Sequence, residues 1–255
     1  MTMLYSFYSA EGIVYAADGR ITRHGAHAPL PAQRKVLPIP GLGESSGVIG
    51  YFGLAQVAGL PMDDWLRDVI AKYTFFRDAD SFARYLIARI EGEATPAELG
   101  QVSGFHIGTF EKRDTVVVPT FTFVRNARSF QGGRYSNVGR FMVPEEQLLG
   151  RDLRGVPMAH IRDALRDRQR AIGMPHWYRN GDVPYFGPIT SLLEAALQGL
   201  VQQPKSRFRA PASLDSWSRL ASTLVASTGS LYRIYFAGVI PPVGDRVVVE
   251  TVRWP

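Results

Sequence analysis

The sequence predicts a layered α+β domain, in which two sheets pack together under helices. Strand-like segments lie at both ends of the chain, and pairs of helix-like segments lie between them. The chain is also large enough to form such a domain, because 255 residues, of which 45% are hydrophobic, can bury one substantial core. We therefore expect a single domain over residues 1–255, in the order ββ–ββ–αα–ββ–insert–αα–ββ, with the insert at about residues 126–182.

The strand predictions rest on short apolar or aromatic runs that are bounded by turn residues. The first two strands are residues 2–9 and 12–17, and the turn "SAEG" joins them. The other predicted strands are "RKVLPI", "GVIGYFGLA", residues 104–110, residues 115–124, "SLYRIYFAGVI" and "RVVVETVRW".

The helix predictions rest on apolar residues at helical spacing. They cover residues 63–73, 80–91, 158–172, 192–201 and 214–227. We place the segment "YFGPITS" before the fourth of these helices, outside it, since its Gly-Pro pair is typical of a turn.

Composition excludes several function classes. Cysteine is absent, which removes disulfides, thiolate nucleophiles and cysteine-ligated metal. The formal charge of +6 is spread along the chain, so we do not expect nucleic-acid binding. We see neither an apolar leader nor a run of 18 apolar residues, and we expect a cytoplasmic protein without membrane contact. His24 and His27 lack further ligands at a useful spacing, so we predict no metal site.

Thr2 allows an unusual form of catalysis. Met1 is normally removed when the next residue is small, and threonine is small enough. The exposed residue then carries a hydroxyl nucleophile and a free α-amine, whose unperturbed pKa is about 7.7–8. That pKa lies near physiological pH, where a general base works best. One residue therefore supplies both the nucleophile and the base.

Such a nucleophile needs three supporting groups. A carboxylate orients its neighbours, a lysine lowers the pKa of the hydroxyl and the amine, and backbone N–H groups receive the oxyanion. The sequence offers Asp18 at the end of the second strand, Lys35 at the start of the third, and Gly50 to Gly53 at the end of the fourth.

The first 60 residues resemble the N-terminal nucleophile hydrolases of the proteasome β-subunit type, which include HslV and the Anbu proteins. That family opens with a processed threonine, "GxVxAxDxRxT", a lysine before an apolar strand and a glycine turn. Here these features are Thr2, "GIVYAADGRIT", "RKVLPI" and "VIGYFGLA". The resemblance implies a four-layer αββα sandwich, with two antiparallel sheets between layers of helices.

The resemblance also implies roles for individual residues. Thr2, Asp18 and Lys35 form the catalytic core, and the N–H near Gly53 holds the oxyanion. Arg20 and Thr22 fall where the family has its arginine and its peptide-gripping threonine, and Tyr51 walls the substrate pocket. The implied substrate is a peptide or an unfolded protein, the implied assembly is a homo-oligomeric ring, and no cofactor is needed. The resemblance does not identify an unfoldase partner.

Two positions depart from the family pattern. In "YFGPITS" Pro188 stands where the family has a serine that supports the threonine amine. In "LVASTGS" Val225 stands near the place of an aspartate, and Thr228-Gly229 replaces a Ser-Gly pair. Asp182, or a group from the insert, is the candidate replacement. These departures leave two alternatives open: a catalytically inactive homologue that serves in assembly or binding, and an amidase that acts on a small molecule.

Overall fold

The structure, a computed structural model, describes most of the chain. The described residues are 3–19, 32–74, 78–131, 134–143, 155–181, 183–203, 209–235 and 246–255. They form two antiparallel sheets with helices, which confirms the α+β class that the sequence predicts. The chain divides into two compact units: the first contains Met1–Ala32 and Gly155–Trp254, and the second contains Gln33–Arg154 with Pro255.

Eleven strands are present among the described residues. They are β1 Met3–Ser9, β2 Gly12–Asp18, β3 Val36–Pro40, β4 Ser46–Phe52, β5 Gln56–Val57, β6 Leu60–Pro61, β7 Gly104–Arg113, β8 Val116–Gln131, β9 Arg134–Met142, β10 His176–Gly181 and β11 Val247–Arg253. The helices of the same residues are α1 Met62–Lys72, α2 Ala79–Glu93, α3 Pro96–Leu99, α4 Ile161–Ile172, α5 Val183–Gln202 and α6 Leu214–Tyr235.

The first unit is built on a four-stranded sheet of order β10-β1-β2-β11. Every residue of β1 and β2 is buried, as in a sheet that is covered on both faces. On one face, alternate side chains join residues of α6 in an apolar core, among them Tyr5, Phe7, Val14, Trp217 and Leu224. Every second side chain of β1 and the side chains at helical spacing along α6 pack against one another in this core.

Glu11 ties the turn between β1 and β2 to two helices. Its carboxylate accepts hydrogen bonds from Trp217 Nε1 at 3.0 Å and from Gln169 Nε2 at 2.8 Å. Gly12 follows with a φ of +150°, and a Cβ there would lie 2.4 Å from the carbonyl oxygen of Val252. The turn therefore requires glycine at this position, because any side chain would push β11 away from β2.

The second unit is built on a five-stranded sheet of order β3-β4-β7-β8-β9, beside the short β5-β6 pair. Helices α1 and α2 cover one face and bury Trp65, Leu66 and Phe82 in a second apolar core. The two helices are also joined by Arg89, which pairs with Asp68 of α1 at 2.9 Å and with Glu93 of its own helix.

One strand prediction and two helix predictions need correction. The strand predicted at "SLYRIYFAGVI" is wrong for residues 230–235, which end α6. The helical spacing of Leu224, Thr228 and Tyr232 puts all three on a buried face, and that burial outweighs the β propensity of the aromatic residues. Helix α5 begins at Val183 and not at residue 192, so "YFGPITS" is helical, and Pro188 lies exposed inside the helix.

The segment predicted as an insert, residues 126–182, contributes regular structure to both units. It contains the end of β8, β9, α4 and β10. The arginine-rich helix predicted at residues 158–172 is confirmed as a 3₁₀ turn, Met158–His160, followed by α4. The sequence analysis did not predict β10, since "HWYRNG" has no alternation of apolar and polar residues.

Helix α5 is the most uniformly uncharged of the long helices, with Glu194 as its sole charged residue. Even so, none of the helices in the described ranges combines the length and apolarity that a membrane crossing requires.

His106 is buried on β7 among three aromatic rings. Its ring centroid lies 4.9 Å from that of Phe121, 5.1 Å from that of Phe123 and 6.2 Å from that of Phe52. Burial lowers the pKa of His106 to about 3, because the apolar surroundings disfavour the charged imidazolium. Its full burial among these rings gives His106 a structural role.

We predict that His106 makes the protein acid-sensitive. The folded chain keeps this imidazole neutral, whereas the unfolded chain protonates it below its ordinary pKa of 6.5. The contribution of the neutral imidazole to the free energy of unfolding is therefore complete above pH 6.5. It is lost as the pH falls toward 3, by on the order of 5 kcal/mol. Urea titrations between pH 7 and 4 should show a shallower loss of stability in His106→Phe than in the wild type.

The exposed His160 offers the matched control for this experiment. His160→Gln should keep the wild-type pH dependence, because it replaces a histidine at the exposed surface and leaves His106 and the rings around it unchanged. An unchanged slope in His106→Phe would contradict the prediction.

Candidate active site

Asp18 is held beside the beginning of the chain. Its Oδ1 accepts a hydrogen bond from the backbone N–H of Met3 at 2.8 Å, and the residue is fully buried. The antiparallel register of β1 and β2, with Leu4 opposite Ala17, brings the end of β2 to the start of β1. The N–H of Gly19 donates to the carbonyl of Arg246 at 2.8 Å and fixes the chain directly after Asp18.

The carboxylate therefore lies next to the residue that follows Thr2. Thr2 itself lies outside the described residues, as do Arg20 and Thr22. Their predicted roles as nucleophile and substrate-gripping residues stay predictions.

Strand β10 approaches the same end of β1 from the other side. Met3 lies opposite Gly181, the last residue of β10, and helix α5 begins at Val183. Asp182, the candidate replacement for the missing serine, connects these two residues in the sequence and lies outside the described residues. The register of β1 and β10 thus puts the end of β10 beside the first described residue of β1.

Lys35 is fully buried at the start of β3. Lysine is rarely buried completely, because removing its ammonium group from water is costly unless the charge is compensated or used. Its backbone carbonyl accepts a hydrogen bond from the N–H of Tyr51 at 3.1 Å, and Val36 lies opposite Gly50. The position of Lys35 is therefore fixed by the pairing of β3 with β4.

Tyr51 points its ring into the core of the second unit. The ring is buried beside residues such as Ile49 and Phe105, and its hydroxyl donates to Gln33 Oε1 at 2.8 Å. This packing gives Tyr51 a structural role, and its role as a pocket wall stays a prediction.

Gly53 ends β4 in a backbone conformation that only glycine adopts without strain. Its φ is +87°, and an added Cβ would lie 2.1 Å from the carbonyl oxygen of Val102 and 2.7 Å from Cα of Ser103. Both neighbours of that Cβ are backbone atoms, so the surroundings cannot yield by a side-chain rotation. This geometry explains why glycine stands at position 53, and the predicted role of its N–H as an oxyanion donor stays a prediction.

The predicted residues fall into two groups. Lys35, Tyr51 and Gly53 lie together at the ends of β3 and β4 in the second unit. Asp18 lies in the first unit with the start of the chain.

Val225 and Thr228, both in the departing segment "LVASTGS", have plain structural roles. Val225 is fully buried in the apolar core of the first unit. Thr228 is also buried and donates its hydroxyl to the carbonyl of Leu224 at 2.8 Å, inside α6 and well before its end. Neither side chain offers a free polar group in place of the family's aspartate and serine.

Sequence reasoning missed one partly buried charged pair beside β1, Arg179 of β10 and Glu194 of α5. A signal was present, because Glu194 is the one charged residue in twenty consecutive residues of an apolar helix. A lone charge in such a helix indicates a buried partner.

Comparison with solved structures places this fold beside the Anbu proteins. Two structures of Anbu from Hyphomicrobium sp. strain MC1, one of them a mutant, match with a TM-score of 0.52 and 13% sequence identity. The match covers 99% and 98% of this chain, and 82% of each Anbu chain. Anbu from Yersinia bercovieri matches with a TM-score of 0.48 at 13% identity, over 98% of this chain and 81% of that one.

No family model and no curated protein matches the sequence. The likeness to Anbu therefore shows the fold, and the resemblance to proteasome-type N-terminal nucleophile hydrolases is confirmed at that level.

We predict that Gly53→Ala destabilises the protein far more than Gly59→Ala. Both glycines have a positive φ, +87° and +82°, but nothing lies within 4 Å of a Cβ at Gly59. Gly59→Ala should cost about 1–2 kcal/mol for the left-handed backbone alone. Gly53→Ala should cost a further 1–3 kcal/mol, roughly, for the clash with Val102 and Ser103.

Urea unfolding of both variants measures the difference directly. Equal losses in the two variants would show that the approach of Val102 does not constrain residue 53.

Proposed function

We propose that this chain is an N-terminal threonine hydrolase that cleaves peptide bonds after Met1 has been removed. The observation that carries the proposal is the buried Asp18 carboxylate, which accepts the N–H of Met3 at 2.8 Å, one residue after Thr2. The Anbu fold supports it, as do the fully buried Lys35 and the glycine requirement at Gly53.

In the proposed reaction, the Thr2 hydroxyl attacks the carbonyl carbon of the scissile amide. The α-amine of Thr2 takes the hydroxyl proton as general base, and a tetrahedral oxyanion forms. The oxyanion is stabilised by the N–H near Gly53, because a fixed backbone donor costs no reorganisation during the reaction.

The intermediate then collapses to an acyl-enzyme ester on Thr2. The protonated α-amine returns its proton to the leaving amine, and the first product departs with a free N-terminus. Water attacks the ester with the amine again as base, which releases the acid product and restores Thr2.

The other residues tune this chemistry. The positive charge of Lys35 lowers the pKa of the hydroxyl and of the amine, and Asp18 orients the neighbouring groups. Thr22 and Arg20 follow Asp18 in the sequence and hold the substrate backbone, and Tyr51 supports the wall of the pocket. The proposed substrate is a peptide or an unfolded protein, and copies of the chain assemble with one another in a ring.

A second candidate function is an inactive homologue that serves in assembly or binding. Val225 favours this candidate, because it is buried in an apolar core at the place where the family has a polar group for the amine. The two candidates differ in one feature that can be measured, namely the chemical state of residue 2.

We predict that the mature protein lacks Met1 and that Thr2 reacts with a threonine-directed electrophile such as a peptide epoxyketone. Intact-mass spectrometry should show the loss of one methionine and then one bound probe per chain. Thr2→Ala should abolish labelling, since alanine still permits removal of Met1 but offers no hydroxyl. Thr2→Ser should retain it, because serine keeps both the hydroxyl and the α-amine.

Thr223→Ala on the exposed surface of α6 is the matched control and should label like the wild type. A retained Met1, or labelling that persists in Thr2→Ala, would refute the threonine mechanism and favour the inactive homologue.

We also predict that Lys35→Met slows labelling of Thr2 by at least about a hundredfold, the effect typical of losing one electrostatic stabiliser. Methionine fills a similar volume in a buried site, so the chain should still fold, as far-ultraviolet circular dichroism can verify. Lys72→Met, at an exposed lysine of α1, should label at the wild-type rate. Equal rates in both variants would remove Lys35 from the mechanism.

A further inference from the structure

Arg179 of β10 binds helix α5 through several hydrogen bonds at once. Its guanidinium donates to the carbonyl of Gly187 at 3.3 Å, to the hydroxyl of Ser191 at 3.2 Å and to the hydroxyl of Thr190. It also lies 5.3 Å from the ring centroid of Trp177, over the ring face. The planar guanidinium group carries several N–H donors in a fixed arrangement and can reach all of these acceptors at once, whereas the single ammonium group of lysine cannot.

Glu194 completes this arrangement from one helical turn further along α5. Its carboxylate lies 3.7 Å from the Arg179 guanidinium, and 13% of its side chain is exposed. Thr190 and Glu194 are four residues apart, so both point toward the sheet from the same helix face. Among the described residues, Glu194 Oε1 has no hydrogen-bond partner, and the ion pair with Arg179 is its charge compensation.

Tyr5 of β1 forms the third side of this cluster. Tyr5 lies directly opposite Arg179 in the pairing of β1 with β10, and residues opposite each other point to the same face of a sheet. The Tyr5 hydroxyl lies next to that of Thr190, and burial raises its pKa. The Tyr5 and Trp177 rings are 5.6 Å apart.

The surroundings of this cluster are apolar. Helices α4 and α6 contribute Ile172 and Leu224 to the same core, and α5 adds Leu193 and Leu197. The titratable groups that face Glu194 are Arg179 from β10, which acts on its pKa, and Tyr5 from β1, whose own pKa is raised by burial and by Glu194. Burial raises the pKa of Glu194 to about 7, and Arg179 acts in the opposite direction.

A charged pair in an apolar core can fix the register of two strands. A slip of one residue between β1 and β10 would turn Arg179 to the opposite face of the sheet, away from Glu194 and Thr190. The same slip would move the start of β1 along β10 by about 3.4 Å. Met3 would then no longer lie opposite Gly181.

We infer that Arg179 and Glu194 are positioning residues, which hold the start of β1 in register at the beginning of helix α5. They do not react with substrate. Their role in catalysis rests on the proposed function of Thr2, whereas their role in strand register does not.

Amide hydrogen exchange on the full-length protein tests the register directly. Arg179→Lys keeps the charge but loses the fork, and it should speed exchange in peptides from β1 and β10 by about tenfold or more, the effect of losing one to two hydrogen bonds. Exchange in β7 of the other unit should stay unchanged. Arg166→Lys, which alters an exposed pair with Asp163 on α4, should leave all of these rates unchanged.

Glu194→Gln provides a second variant that keeps the shape of the side chain. The raised pKa of Glu194 stabilises the folded chain fully below its ordinary value of 4.5, and this contribution is lost as the pH rises to about 7. The melting temperature of Glu194→Gln should therefore lack a decline that the wild type shows between pH 5 and 7.

The pH profile of Thr2 labelling connects the pair to catalysis. The wild-type profile should show two ionisations, one near pH 7 and one from the α-amine, and Glu194→Gln should keep only the second. If β1 and β10 exchange their amide hydrogens at the wild-type rate in both Arg179→Lys and Glu194→Gln, the inference is overturned. A wild-type protein that labels at no pH would instead refute the proposed function, and the exchange rates would still decide the role of Arg179.

Discussion

The hydrogen bond from the N–H of Met3 to the buried carboxylate of Asp18 sets the place where the chain begins. It joins the first residue of β1 to the last residue of β2. If these ends of the hairpin separated, the buried carboxylate would lose the hydrogen bond from Met3, which is costly. At the opposite end of the hairpin, Glu11 ties the turn to α4 and α6. Residues at both ends therefore hold β1 in one position, as a site built on the chain terminus requires.

The support around this bond comes from elements distant in sequence. Strand β10 pairs with β1 on the other side, and its Gly181 lies opposite Met3. Arg179 and Glu194 place a charged pair into a core that is otherwise apolar, where it contributes specificity of register more than stability. This arrangement differs from the serine and aspartate of the related family, since Val225 and Thr228 serve the packing of α6.

The sequence predicted much of this structure because its signals were local. The β1–β2 hairpin, α1, α2 and the pairing of β7 with β8 all follow from patterns of apolar residues and turns. Gly53 and Asp18 were singled out because they match the family's glycine turn and aspartate, and their predicted roles in catalysis stay predictions. The end of α6 was mispredicted because aromatic residues favour strands, whereas the burial of Tyr232 favours a helix. Strand β10 was missed because its partner β1 lies more than a hundred residues away, so the local pattern carries no signal for the pairing. The pair of Arg179 with Glu194 was missed because the lone charge in α5 indicates that a partner exists but does not identify it.

The sheet order β10-β1-β2-β11 also has a consequence for synthesis. Its two central strands come from the first residues of the chain, and one of their partners, β11, comes from the last. A ribosome needs on the order of ten seconds or more to extend the chain from one to the other. Until β10 has been made, the β1–β2 hairpin lacks both of its neighbours, and it lacks one of them until β11 has been made. The topology thus makes completion of this sheet one of the last steps of folding during synthesis.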